Sequence, residues 1–199
     1  MNRSLILLGL AAFGLFLGSL TGCSPVSPQV SYYSLLDTQR PPSVAGARQS
    51  LAILVGPVSV PDLLKTSQIA TGTAERYQLA EQHRWVSQVD RDFARAIGEQ
   101  LASRLGTERI ALYPQDQYLA APLQVVVDIL AMEGTLGQEA RLTVRWSLVA
   151  TKSKTARLTR RSTFSERPAD SSHGAWVAAQ RRNISRLSEE IAAAITSQH

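Results

Sequence analysis

Cysteine is almost absent from this chain: Cys23 is the one such residue in 199. A lone thiol excludes an internal disulfide framework, and it leaves no cysteine pair to suggest a metal site. Histidine is nearly as scarce, with only His83, His173 and His199. There is no His-Glu-x-x-His pair, and no carboxylate cluster suggests a metal or other cofactor. Glu81 and His83, two apart, share a strand face, but two side chains are a weak ligand set. The Gly-x-Ser-x-Gly elbow of a serine hydrolase is also missing, because Ser59 stands between Val58 and Val60. Gly134-x-x-Gly137 falls between two strands and not before a helix, so it reads as a turn and not a phosphate cradle. The formal net charge of +5 is spread too thinly to argue for nucleic acid. It suits an anionic surface or an acidic partner better. Catalysis would require a nucleophile and base assembled only by the fold.

What is present begins at the N-terminus. Arg3 precedes an uncharged apolar run from Leu5 to Leu20, and the next charge is Asp37. A positive start and a short greasy core make an export signal. Gly9, Gly14, Gly18 and Ser19 weaken the run below the ~20 strongly apolar residues a permanent span needs. Leu20-Thr21-Gly22-Cys23 then resembles the lipobox of bacterial lipoproteins. Small residues let an extended backbone enter a peptidase cleft, and the cysteine thiolate is the nucleophile that takes up a diacylglyceryl group. The resemblance implies cleavage before Cys23 and three acyl chains on it. Several chains hold a protein to a bilayer far more firmly than one, at roughly 0.8 kcal/mol per buried CH₂. Ser24, standing where aspartate would retain such proteins at the inner membrane, implies the outer membrane with the domain facing the periplasm. The inner membrane is the alternative where that sorting rule differs.

Removing residues 1–22 leaves 177 of the 199 residues, enough for one domain with a core. Pro25 and Pro28 make residues 23–30 a lipidated tether, and residues 31–199 are expected to be one domain without repeats. Tyr32–Leu35 reads as a strand, followed by an irregular stretch from Thr38 to Gln49. Leu51–Val55, continuously apolar, reads as a strand buried on both faces. Gln68–Ala70 and Arg76–Ala80 suggest a hairpin turning at Thr71-Gly72-Thr73. Val89, Phe93, Ile97, Leu101 and Leu105 fall four apart, predicting a helix over 89–105 with Gly106 as its C-cap. Arg109–Tyr113, Gln124–Met132 and Arg141–Val149 read as strands, the last alternating cleanly. Polar Arg157–Ser165 belongs at a sheet edge, where arginines discourage stray pairing. A closing helix spans about 174–196. The expectation is an α/β domain: a mixed sheet, helices packed on it, and a C-terminal helix.

Four residues stand out as partner contacts or structural anchors. Tyr32 and Tyr33 place one ring in the core and one half-exposed. Arg84 and Trp85 sit between the hairpin and the first helix, Trp85 as a packing anchor with an interface contact as the minority reading. Arg160-Arg161 and Arg181-Arg182 with Arg186 form basic clusters whose default is a solvated face.

In order and spacing, Tyr32-Tyr33-Ser34-Leu35, the segment Ile53 to Pro61, Ser67-Gln68-Ile69-Ala70 and His83-Arg84-Trp85 resemble the ABC-type transport auxiliary lipoproteins of the PqiC (YmbA) type. Lys65-Thr66 departs from the pattern, where an arginine-bearing segment is expected. The resemblance implies a non-catalytic accessory of an ABC/Mce-type lipid transport system. Its partners would be an Mce-domain (PqiB-like) protein and an inner-membrane permease complex, with a homo-oligomeric ring as one assembly. The alternatives are an assembly lipoprotein of another envelope export machine, or an envelope hydrolase.

Overall fold

The structure, a computed structural model, describes residues 28–37, 50–114 and 120–197. The signal, Leu20, Thr21, Gly22, Cys23, Ser24, most of the tether, the 38–49 stretch and His199 lie outside these. The elements run β1 (Ser31–Tyr33), β2 (Ile53–Ser59), β3 (Gln68–Thr73), β4 (Arg76–Trp85), α1 (Val89–Leu105), β5 (Ile110–Leu112), β6 (Leu123–Glu133), β7 (Ala140–Ala150), β8 (Thr155–Glu166) and α2 (His173–Ser197).

The main sheet has five strands in the order β5-β2-β6-β7-β8. β2 runs parallel to β5 and β6, while β6, β7 and β8 form an antiparallel meander. Alternation decides the faces. Leu142, Val144, Trp146 and Leu148 of β7 are all fully buried, beneath α2, which packs on β7 and β8. α1 covers β2 and β5 on the same side. Its stripe of Phe93, Ile97 and Leu101 is fully buried. Gly106 ends α1 in the left-handed conformation, its N–H donating to Ala102 O. Ser172 caps α2, its Oγ accepting from Ala175 N at 3.1 Å. The helices are tied together by Arg104 of α1, which donates to Ser185 Oγ of α2 at 2.8 Å.

The fold class is the expected mixed α/β with a C-terminal helix, but the strands divide between two sheets. β1, β4 and β3 form a second, three-stranded sheet. It meets the first through one antiparallel bridge, Gly72 to Gly134, with both N–H···O distances at 2.7 Å. That bridge explains why Gly72 is not the hairpin turn. It is held inside β3 at φ +106°, and the chain turns two residues later, between β3 and β4. A Cβ on Gly72 would lie 2.2 Å from Arg76 O, and one on Gly134 2.2 Å from Glu139 O. Only glycine fits either half of the junction. β4 consequently runs on to Trp85, so Arg84 and Trp85 end a strand and do not form a linker.

Candidate functional site

β1 is the first element after the tether, and three residues of parallel pairing are a weak hold by themselves. Its register sets Ser31 against His83, Tyr32 against Arg84 and Tyr33 against Trp85. Val86 N–H adds a bond to Tyr33 O at 2.8 Å. Side chains from three other elements then close around the segment. Tyr33 Oη and His83 Nδ1 share a hydrogen bond at 2.9 Å. The His83 ring stacks on that of His173, the first residue of α2, with centroids 4.0 Å apart and planes 17° from parallel. Burial, and after it the charge of neighbouring His83, holds the His173 pKa below the usual histidine value.

The next two residues are gripped harder. Asp92, in the first turn of α1 and 3% exposed, uses one oxygen, Oδ2, for two bonds. It accepts from Leu35 N at 2.5 Å and from Ser34 Oγ at 2.9 Å. A carboxylate at a helix N-terminus also faces the positive end of the backbone dipoles. Arg181 of α2 donates from Nε and Nη2 to Ser34 O, at 3.0 and 2.7 Å. Leu35 itself is buried in the core. The chain leaving the tether is therefore clamped by β4, α1 and α2 together.

The clamp holds the chain's own N-terminal segment through these hydrogen bonds. Among the described residues no three His, Cys, Asp or Glu side chains converge as a metal site would require. No described helix is long and apolar enough to cross a membrane. A shallow groove of about 280 Å³ lies at the N-terminal end of α1, lined by Val58, Val60, Leu64, Lys65 and Asp90 among others. Lys65, the residue that departs from the expected arginine segment, pairs with Asp62 at 2.6 Å on the groove's rim.

Trp85 is buried, and Arg84 donates to Ser67 Oγ at 3.2 Å. Tyr33 is in the clamp and Tyr32 is 64% exposed. The basic clusters are largely neutralised within the fold. Arg160 lies over the Trp146 ring and 3.8 Å from Glu190. Arg182 and Arg186 both pair with Glu166. Sequence reasoning missed Ser34, Asp92, His173 and Arg181 as a set. The available signal was Asp92 itself, a carboxylate on the inward stripe three residues after Val89 and four before Ala96.

A family model described as ABC-type transport auxiliary lipoprotein component matches residues 33–192, from the clamped tyrosine to near the end of α2. The chain belongs to this family. No curated protein matches the sequence. Two solved structures share the auxiliary lipoprotein's fold. One is protein XCC0632 from Xanthomonas campestris, of the DUF330 family, with TM-score 0.68, 15% identity and coverage of 84% of this chain and 97% of that one. The other is an uncharacterized protein with TM-score 0.67, 20% identity and coverage of 84% and 99%. Membership makes the chain an envelope lipoprotein auxiliary to an ABC-type transporter.

Proposed function

We propose that the chain is the outer-membrane-anchored, non-catalytic accessory component of an ABC/Mce-type lipid transport system, docking the Mce-domain partner from the periplasmic side. Residues 1–22 are the signal, 23–30 the lipidated tether and 31–199 the docking domain. The observation that carries this reading is the clamp. Seven residues separate Cys23 from Ser31, and an extended chain of that length reaches only about 25 Å. A strand locked to both helices at the end of so short a tether holds the domain close to its leaflet.

The partner-facing surface is placed on the three-stranded sheet. Tyr32, Tyr77, Leu79 and Val86 are exposed large apolar side chains on or beside β1 and β4. Exposed aromatic and aliphatic anchors of this kind mark protein interfaces.

The test is crosslinking and pull-down with a purified Mce-domain protein. The lipidated chain should capture it, and joint Tyr77→Ser and Leu79→Ser substitution should weaken capture about tenfold, the loss of roughly 1.4 kcal/mol of apolar contact. Cys23→Ala should move the chain from the membrane to the soluble fraction. Failure of the wild-type chain to capture the Mce-domain protein under crosslinking would overturn the docking role.

A further inference from the structure

The helices cover one face of the five-stranded sheet; the other carries an unneutralised basic strip. Arg145 of β7 and Arg161 of β8 are directly opposite in the antiparallel register. Both are exposed, and both lie on the side away from α2, since Trp146 beside Arg145 points under it. Arg157, at the bulge of β8, and Lys152 and Lys154, in the β7–β8 turn, extend the strip and are also exposed. Among the described residues none of these five cations makes a hydrogen bond or ion pair. The one acid across from Arg145 is Asp128. Its Oδ1 accepts instead from Ser59 Oγ at 2.5 Å. Like charges directly opposite across strands are destabilising. The other arginines of β8 and α2 singled out in the sequence find Glu190, Glu166 or a backbone carbonyl.

Two occupants would suit such a strip, and the side chains around it choose between them. Protein interfaces carry an apolar core with aromatic anchors. The exposed large hydrophobics among the described residues are Val30, Tyr32, Tyr77, Leu79, Val86 and Tyr113, and none lies on β6, β7 or β8. Between the arginines there are small hydroxyls instead, Ser147 and Thr159, bonded to each other at 2.9 Å. Val126, across from Ser147, and Val149 are only partly exposed there. The surface is therefore cationic and hydroxyl-lined with no fully exposed apolar anchor, which matches phosphate headgroups. Guanidinium binds phosphate in bidentate fashion and tolerates partial desolvation. We infer that the β7–β8 face rests on the anionic phospholipid headgroups of the membrane to which the chain is tethered. The inference rests on the lipid anchorage proposed above.

The experiment uses the lipidated full chain in phosphatidylethanolamine–phosphatidylglycerol vesicles, with phosphatidylcholine vesicles as the uncharged comparison. Acylation blocks the Cys23 thiol, so Thr159→Cys supplies one free thiol for a fluorophore, and Ala193→Cys on the exposed side of α2 supplies a control. Quenching by headgroup-labelled lipid reports proximity. The Thr159→Cys label should be quenched on the anionic vesicles, released by high salt, and far less quenched on phosphatidylcholine. The Ala193→Cys label should stay unquenched on both. Each cation near an anionic surface shifts the docked population roughly fivefold, so Arg145→Gln, Arg157→Gln and Arg161→Gln together should reduce it about a hundredfold. Salt sensitivity of the unsubstituted strip is the check that needs no folding control. An anchored chain whose Thr159→Cys label ignores lipid charge, salt and the triple substitution overturns the inference while leaving anchorage intact. A strip variant that keeps its lipid proximity but loses the Mce-domain protein also overturns it, in favour of an acidic protein surface. If the chain fails to partition into either vesicle, the anchorage itself is wrong, and the inference falls with it.

Discussion

Replacing Asp92 by alanine opens the clamp at its most buried point. Two hydrogen bonds to one carboxylate oxygen vanish, from Leu35 N at 2.5 Å and Ser34 Oγ at 2.9 Å. Leu35 is 1% exposed, so its N–H would be left without a partner and without water. A hydrogen bond to a charged acceptor contributes about 1.5–3 kcal/mol, and an orphaned buried donor costs about 1–3 kcal/mol. These overlap, and Ser34 Oγ can turn toward solvent, so the net loss should be about 3 kcal/mol. For a domain of this size that lowers Tm by about 6–12 °C. Asp92→Asn keeps an acceptor oxygen for Leu35 N and should cost about 1 kcal/mol. Hydrogen exchange gives the sharper reading. In Asp92→Ala, the amides of Leu35 and Val86, whose N–H donates to Tyr33 O at 2.8 Å, should lose protection. Those of β6 and β7 should change only by the global amount. A Tm within about a degree of the parent, or a loss of protection spread evenly over both sheets, would refute the clamp as described.

Three further outcomes follow from the geometry. The His173 pKa is held below the usual histidine value by burial and by His83, so the unfolded chain takes up that proton first. Stability should be full above ~6.5 and fall as pH drops through that value, levelling off once the folded form also protonates. His173→Phe, which keeps the stack on His83, should flatten this dependence in denaturant titrations. Gly72→Ala should fail at the junction between the sheets, because φ is +106° and the new Cβ would meet Arg76 O at 2.2 Å. A loss of about 3 kcal/mol or more, read by thermal unfolding, is expected from strain and overlap together. Trp146→Ala should remove about 3–5 kcal/mol, since the ring is fully buried between the sheet and α2. A chemical denaturation midpoint near that of the parent would contradict that placement.

Legibility followed range along the chain. The stripe of Phe93, Ile97 and Leu101 with Gly106 behind it marked α1 to its last residue, because periodicity and caps are set within a few turns. The alternation of Leu142, Val144, Trp146 and Leu148 told which face of β7 would be buried, though not that α2 would cover it. The hairpin turn was misplaced for the opposite reason. Gly72 looks locally like a turn residue, but its partner is Gly134, in another sheet.

The sequence by itself raised the expectation of an export signal ending at a single cysteine, and it determined the identity of most strands and both helices and the mixed α/β class. Each of these is written in neighbouring residues and in short-period patterns. Only the tertiary structure decided that the strands form two sheets, that Tyr33 meets a histidine 50 residues away, and that Ser34 is held by an arginine 147 residues away. It also decided which arginines find a carboxylate and which are left facing outward. Nothing local in a chain encodes such pairings, because they exist only once the packing of α1 and α2 on the sheet has brought distant residues together.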